Sequence, residues 1–328
     1  MNINGNCILC QRGCSIESDP WREVTRYVCA SCGEFAVTRK ASMDHLESMP
    51  QEHKQRIAAC TREQCIRGLP KLLLFSEAPM DKAPEGAFSV EYVLSNMFPS
   101  RIEDRFDRTL RNLCRMTPYP GAPVTLEEPD FLPVTFAETR DTFNFMLPEL
   151  VNMEYITFKS AQAGVAAIIT VRAAGLSRMQ QLEEAEGREQ SKQVFVAMWF
   201  DNTLDDVYER GIEPAVRDCG FKPLRIDLKE HNCKICDEII AEIRRSRFLI
   251  ADFTGCRGGV YFEAGFAKGL GIEVIFTCRD TEEDMESLHF DTRQYAHICW
   301  DDPEDLRKKL RSRIAATIPG VKTAQGHV

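Results

Sequence analysis

The chain has 328 residues, 44% of them hydrophobic and 28% charged, which fits two or three folded domains and excludes a disordered chain. Its 50 acidic residues against 41 basic ones give a formal net charge of -9, which excludes a chain-wide basic surface for nucleic acid. No run approaches the roughly 18 consecutive apolar residues of a membrane span. The opening MNINGNCILCQRGC lacks the apolar core of a signal peptide, so a cytoplasmic protein with no membrane partner is expected.

Residues 1–40 read as one small unit. Two pairs, Cys7-x-x-Cys10 and Cys29-x-x-Cys32, frame a segment whose apolar content is little more than Trp21, Val24, Tyr27 and Val28. That is too little for an independent core. One structural zinc held by four thiolates, Cys7, Cys10, Cys29 and Cys32, would supply the missing folding energy. Gly33, directly after the last ligand, suits a tight knuckle. Cys14 is an alternative ligand, and a redox dithiol is an alternative use, but the regular spacing favours the zinc set. The chain has fourteen cysteines in all. Most are spread through an enzyme-sized body, which argues for reduced thiols rather than a disulfide scaffold.

Residues 41–185 read as a mixed helical and winged-helix-like domain. A polar helix over about 41–70 precedes a short strand, Lys71 to Phe75. Residues 101–116 form a helix with Ile102, Phe106, Leu110 and Leu113 on one face. Pro118 to Pro123 is a break. Residues 137–151 are helical again. Tyr155–Phe158 and Ala167–Val171 form a hairpin, and a glycine, Gly175, begins the next helix. Helices followed by a hairpin resemble a winged helix over residues 85–185. The helix Phe136 to Leu150 has one Arg against three acids, so DNA is not an expected partner. A spacer, a dimerisation unit or a partner sensor fits better. Residues 183–193, EEAEGREQSKQ, read as a linker.

Residues 194–328 alternate strands and helices. Strands are expected at Val194–Trp199, Phe221–Ile226, Phe248–Ala251, Glu273–Cys278 and Tyr295–Cys299. Helices are expected over about 205–219, 234–245, 261–270 and 303–314. The resulting class is α/β: a doubly wound, mostly parallel five-stranded sheet, preceded by a zinc-ribbon-like unit and a winged-helix-like α+β region. Ligands in such sheets bind beyond the carboxyl ends of the strands. The polar segments there supply the candidate contacts: Phe200 and Asp201 after the first strand, His231 after the second, and Asp252, Thr254, Arg257, Gly258 and Gly259 after the third. The paired glycines free backbone N–H groups for an anion. A P-loop and a dinucleotide fingerprint are both missing from the sequence, so no organic cofactor is expected.

Glu263 stands in Gly259-Val-Tyr-Phe-Glu-Ala-Gly265, an otherwise apolar helix start. It is either a helix-capping carboxylate or an ionised group placed to attack a sugar carbon. Ala251-Asp-Phe-Thr-Gly255 followed by Gly259-Val-Tyr-Phe-Glu-Ala-Gly-Phe-Ala-Lys-Gly-Leu-Gly271 closely resembles the nucleoside 2-deoxyribosyltransferase superfamily, which includes deoxynucleoside monophosphate N-glycosidases. The likeness covers residues 194 to about 280. It implies N-glycosidic cleavage or deoxyribosyl transfer on a nucleoside or nucleotide, with Glu263 as nucleophile and a homo-oligomeric assembly. The superfamily's second carboxylate lies early in the preceding helix. Counting falls on Ile239, and Asp237 is assigned because it starts that helix at the ligand end. The superfamily borders on TIR-like NAD hydrolases, so NAD is an alternative ligand, and a non-catalytic nucleotide sensor is an alternative role.

Overall fold

The alternation of short apolar runs with helical stretches is realised in a computed structural model that describes residues 2–77, 84–161, 166–226 and 235–321. The chain divides into two compact units, Met1–Leu182 and Glu183–Val328.

In the first unit, β1 (Asn2–Asn6), β2 (Gly13–Asp19), β3 (Val24–Cys29) and β4 (Gly33–Thr38) form an antiparallel meander. β5 (Leu73–Phe75) and β6 (Ala87–Ser89) extend it in parallel. Helix α1 (Gln51–Arg67) starts after Pro50 and stops at Gly68, whose φ of 65° closes it in the left-handed region. This helix clamps the cysteine turns. Gln51 donates to the Leu9 carbonyl at 2.9 Å, Thr61 to that of Cys32 at 2.7 Å, and Arg62 to that of Ala30 at 2.7 Å. Residues 1–40 therefore share one core with α1, β5 and the segment beyond β6: Leu9, Phe35 and Val37 pack with Ile57, Ala58, Leu74 and Phe98.

The winged-helix-like region contains α2 (Ile102–Met116), β7 (Pro123–Glu127), α3 (Glu128–Thr135), α4 (Arg140–Asn152) and the hairpin β8 (Ile156–Ala161) with β9 (Ala166–Val171). The sheet order is β7-β9-β8. Strand β7 was not expected. The prolines end the break at Ala122, and Val124 and Leu126 then alternate inward with period two. Helix α5 (Ala173–Gln190) starts before Gly175 and runs through most of the stretch expected to be a linker. A Cβ at Gly175 would meet the Tyr155 carbonyl at 2.4 Å, so the glycine lets the helix lie against the backbone before β8.

The second unit holds β10 (Gln193–Ala197), β11 (Lys222–Leu224), β12 (Phe248–Asp252), β13 (Glu273–Arg279) and β14 (Ile298–Trp300). All neighbours are parallel, in the order β11-β10-β12-β13-β14. The helices are α6 (Glu213–Asp218), α7 (Ile235–Arg245), α8 (Gly258–Gly269), α9 (Glu282–Ser287) and α10 (Pro303–Thr317). Val194 and Val196 face Val216, Leu306 and Leu310, while Phe195 and Ala197 face Ile243, Val260 and Ala264. Burial on both faces is why these strands read as continuous apolar runs. The helix expected over 205–219 is instead a π-helical stretch, Val207–Ile212, running into α6. Pro214 stands where that stretch passes into α6.

Candidate functional site

The strand order reverses between β10 and β12, and the loops after these two strands meet there. Gly255 has a φ of 74°, and a Cβ on it would stand 2.6 Å from the Trp199 ring. The Arg257 guanidinium lies 3.7 Å from the centre of the same ring, a cation–π contact. Phe200 is exposed, with the Arg225 guanidinium 6.0 Å from its ring. Arg225 is itself buried, paired with Asp205 at 3.0 Å. Asp201 caps the turn that comes next. Its Oδ1 accepts from the Thr203 hydroxyl at 2.6 Å and from the Thr203 N–H at 3.0 Å, and these bonds lower its pKa.

Asp252 and Thr254 serve the fold at this edge. Asp252 is fully buried and accepts from the Thr254 N–H at 3.1 Å, the Thr277 hydroxyl at 2.6 Å and the Trp300 indole at 3.0 Å. The Thr254 hydroxyl oxygen accepts from the Arg279 N–H at 3.1 Å. Both residues are fully buried and shape the loop from inside through these bonds.

Helix α8 starts three residues earlier than its hydrophobic pattern indicates. Gly258 and Gly259 thus form its first turn, with open space where a Cβ would stand. Arg257, at the N-cap, makes no side-chain capping bond. Glu263 lies in the second turn and is only 9% exposed. It makes no hydrogen bond or ion pair among the described residues. The capping alternative is thereby removed. Burial pushes its carboxyl from the ordinary 4.5 up to about 7. Asp237 is exposed in the first turn of α7. His231 and Cys233 lie outside the described residues.

Gly255 and Asp284 escaped sequence reasoning. Asp284, in α9, accepts from the Gly255 N–H at 3.0 Å and pairs with Arg279 at 3.3 Å. The glycine of Asp-Phe-Thr-Gly was the one available signal, since a left-handed backbone favours that residue.

The second cluster is the four thiols. Cys7, Cys10, Cys29 and Cys32 place their sulfurs within 4.8 Å of one another. Cys7 and Cys32 are 3.9 Å apart, and Cys10 and Cys29 are 3.6 Å apart. A tetrahedral zinc with bonds of ~2.3 Å has sulfur–sulfur edges of ~3.8 Å, so the set has the geometry to hold a metal ion. S–H donation from Cys10, Cys32 and Cys7 holds the Cys29 thiol far below its ordinary range. Hydrogen bonding to Cys10 and Cys29, with burial, pushes Cys32 far above it. Cys14 is buried but falls outside the set.

Among the described residues no helix is long and apolar enough to cross a membrane. No protein-family model matches the chain, and no curated protein matches it.

The isolation of Glu263 carries a pH signature. Its carboxyl is protonated in both folded and unfolded chains well below pH 4.5, and ionised in both well above pH 7. Between these the folded chain binds more protons, so stability falls as pH rises through this window, by about 3 kcal/mol for a carboxyl raised this far. Glu263→Gln is therefore expected to raise the thermal midpoint at pH 8 and to flatten the loss between pH 5 and 8, followed by circular dichroism. A lower midpoint at pH 8 in the variant would mean that Glu263 is a satisfied structural group.

Proposed function

We propose that the second unit binds a nucleoside or nucleotide beyond the carboxyl ends of β10 and β12 and cleaves its N-glycosidic bond, with Glu263 as nucleophile. The observation that carries this reading is a carboxylate 9% exposed and without a partner among the described residues, on the helix after the strand beside the switch point. A buried charge with no compensation weakens a fold and is kept where it has work to do. The Glu-x-Gly-x-Ala sequence behind Asp-x-Thr resembles that of N-glycosidic enzymes and supports the same reading.

In this mechanism the glycosidic bond lengthens toward an oxocarbenium-like state. The positive sugar draws Glu263 into its ionised form, and Glu263 closes a glycosyl ester. A proton reaches the departing base, with Asp237 as the donor assigned from the helix start. Water attacking the ester gives hydrolysis, and a second base gives transfer. Phe200, which is exposed, offers a ring face against which a base can stack.

The four-thiol set is proposed to hold one structural zinc. That zinc would draw the two turns under α1 into one centre and contribute folding energy to residues 1–40. Reduced protein should carry about one zinc per chain by elemental analysis. Cys7→Ser should lose the metal and the amide protection of residues 1–40, while the second unit keeps its own. Less than about a tenth of that metal, with the segment still protected, would contradict the assignment.

The activity is tested by incubating the chain with deoxynucleosides, deoxynucleoside monophosphates and NAD, with and without an acceptor base, and following the freed base by chromatography. Glu263→Gln should lower turnover at least about a hundredfold while binding persists. Turnover by the parent chain, as kcat/KM, should rise with pH through about 7 if Glu263 must be ionised. Unchanged release by Glu263→Gln would reject the nucleophile. Tight nucleotide binding with no release from any substrate would favour the sensor reading.

A further inference from the structure

Toward the amino ends of the same strands lies a groove of about 580 Å³, whose lining does not include Glu263. Its walls are the last two turns of α5 and the last turn of α7, just ahead of β10 and β12. Arg188 projects from the first wall, Arg244 and Arg245 from the second, and Gln190 and Ser191 complete the lining. Three guanidiniums face one acid, Glu184, in a chain of net charge -9. Such a concentration inside a concavity focuses positive potential.

The arginines differ in how they are balanced. Arg245 pairs with Glu242 at 3.1 Å, and Glu242 also accepts from the Gln193 amide at 2.8 Å. Arg244 packs over the Phe266 ring at 5.8 Å. Neither Arg188 nor Arg244 has a carboxylate partner among the described residues. The helix dipole accounts for cations in the last turn of α7. It does not account for Arg188, which arrives from a different helix, nor for guanidinium forks left open in a groove of ligand size, about 300–1,000 Å³.

We propose that this groove is a second ligand site, for a small molecule bearing two or more phosphate groups, met by Arg188 from one wall and by Arg244 and Arg245 from the other. Guanidinium forks match phosphate oxygens in pairs, and the amide of Gln190 adds a neutral donor. The acids that flank Arg188 on α5, Glu183, Glu184, Glu186 and Glu189, disfavour an extended polyanion that would run past the groove over them. Lying at the amino ends of the strands, the site serves an effector rather than the substrate of the carboxyl edge.

The test is calorimetric titration of the full chain with inorganic pyrophosphate at about 0.15 M salt, where loose surface attraction is screened. One pyrophosphate per chain should bind, and the groove variants should lose it. Arg188→Ala and Arg244→Ala should each weaken binding about tenfold or more. Arg244→Lys, which keeps the charge but not the fork, should weaken it less. Lys308→Ala removes an exposed charge elsewhere and should change nothing, and thermal melts confirm that every variant folds. No binding of pyrophosphate would overturn the proposal. So would binding unaffected by the arginine variants, a loss as large in Lys308→Ala, or displacement of pyrophosphate by an equal concentration of single-stranded oligonucleotide.

Discussion

The buried carboxylate of Asp252 is the constraint on which the candidate site depends. It stands at the carboxyl end of the central strand β12 and gathers donors from three places: its own loop through the Thr254 N–H, β13 through Thr277, and β14 through the Trp300 indole. Removing a carboxylate from water is costly, and three donors at hydrogen-bond distance offset that cost. The loop is therefore held in one shape. That shape carries Gly255 onto the Trp199 ring and sets the first turn of α8 where its glycines lie open. Glu263 inherits its place from this arrangement.

Two acids at one sheet edge thus have opposite environments. Asp252 is buried with its oxygens occupied, and Glu263, 9% exposed, has no bond to its oxygens among the described residues. The first arrangement builds a fold, and the second stores an unmet demand for a positive partner. The developing charge of a sugar losing its base would meet that demand. The thiol cluster of the other unit obeys the same logic, since its four converging sulfurs have the geometry to hold a cation.

Much of this was legible in the residues. The five strands of the second unit stood out because burial on both faces makes them apolar without interruption, as in Val194–Met198 and Phe248–Ala251. Glu263 stood out because a charge amid Tyr261, Phe262, Ala264 and Gly265 breaks that pattern. The cysteine spacing announced its cluster. Other features depend on contacts that sequence distance hides. Asp252 and Thr254 look like loop polar groups until Thr277, Arg279 and Trp300 are brought beside them. Strand β7 was hidden by flanking prolines and glutamates. The linker-like run after Leu182 is polar because it is a helix face, and Arg188 meets Arg244 only once α5 and α7 come to the same groove.

The central claim is that burial raises the Glu263 carboxyl, which has no partner among the described residues, before any ligand arrives. The most direct measurement is a titration of carbon-13-labelled glutamate carboxyls by nuclear magnetic resonance, with Glu263→Gln identifying the signal. The account predicts one glutamate resonance titrating near 7 in the free protein and missing from the variant. A Glu263 resonance that titrates at its ordinary value of 4.5 would contradict it, because such a carboxyl is either solvated or already partnered.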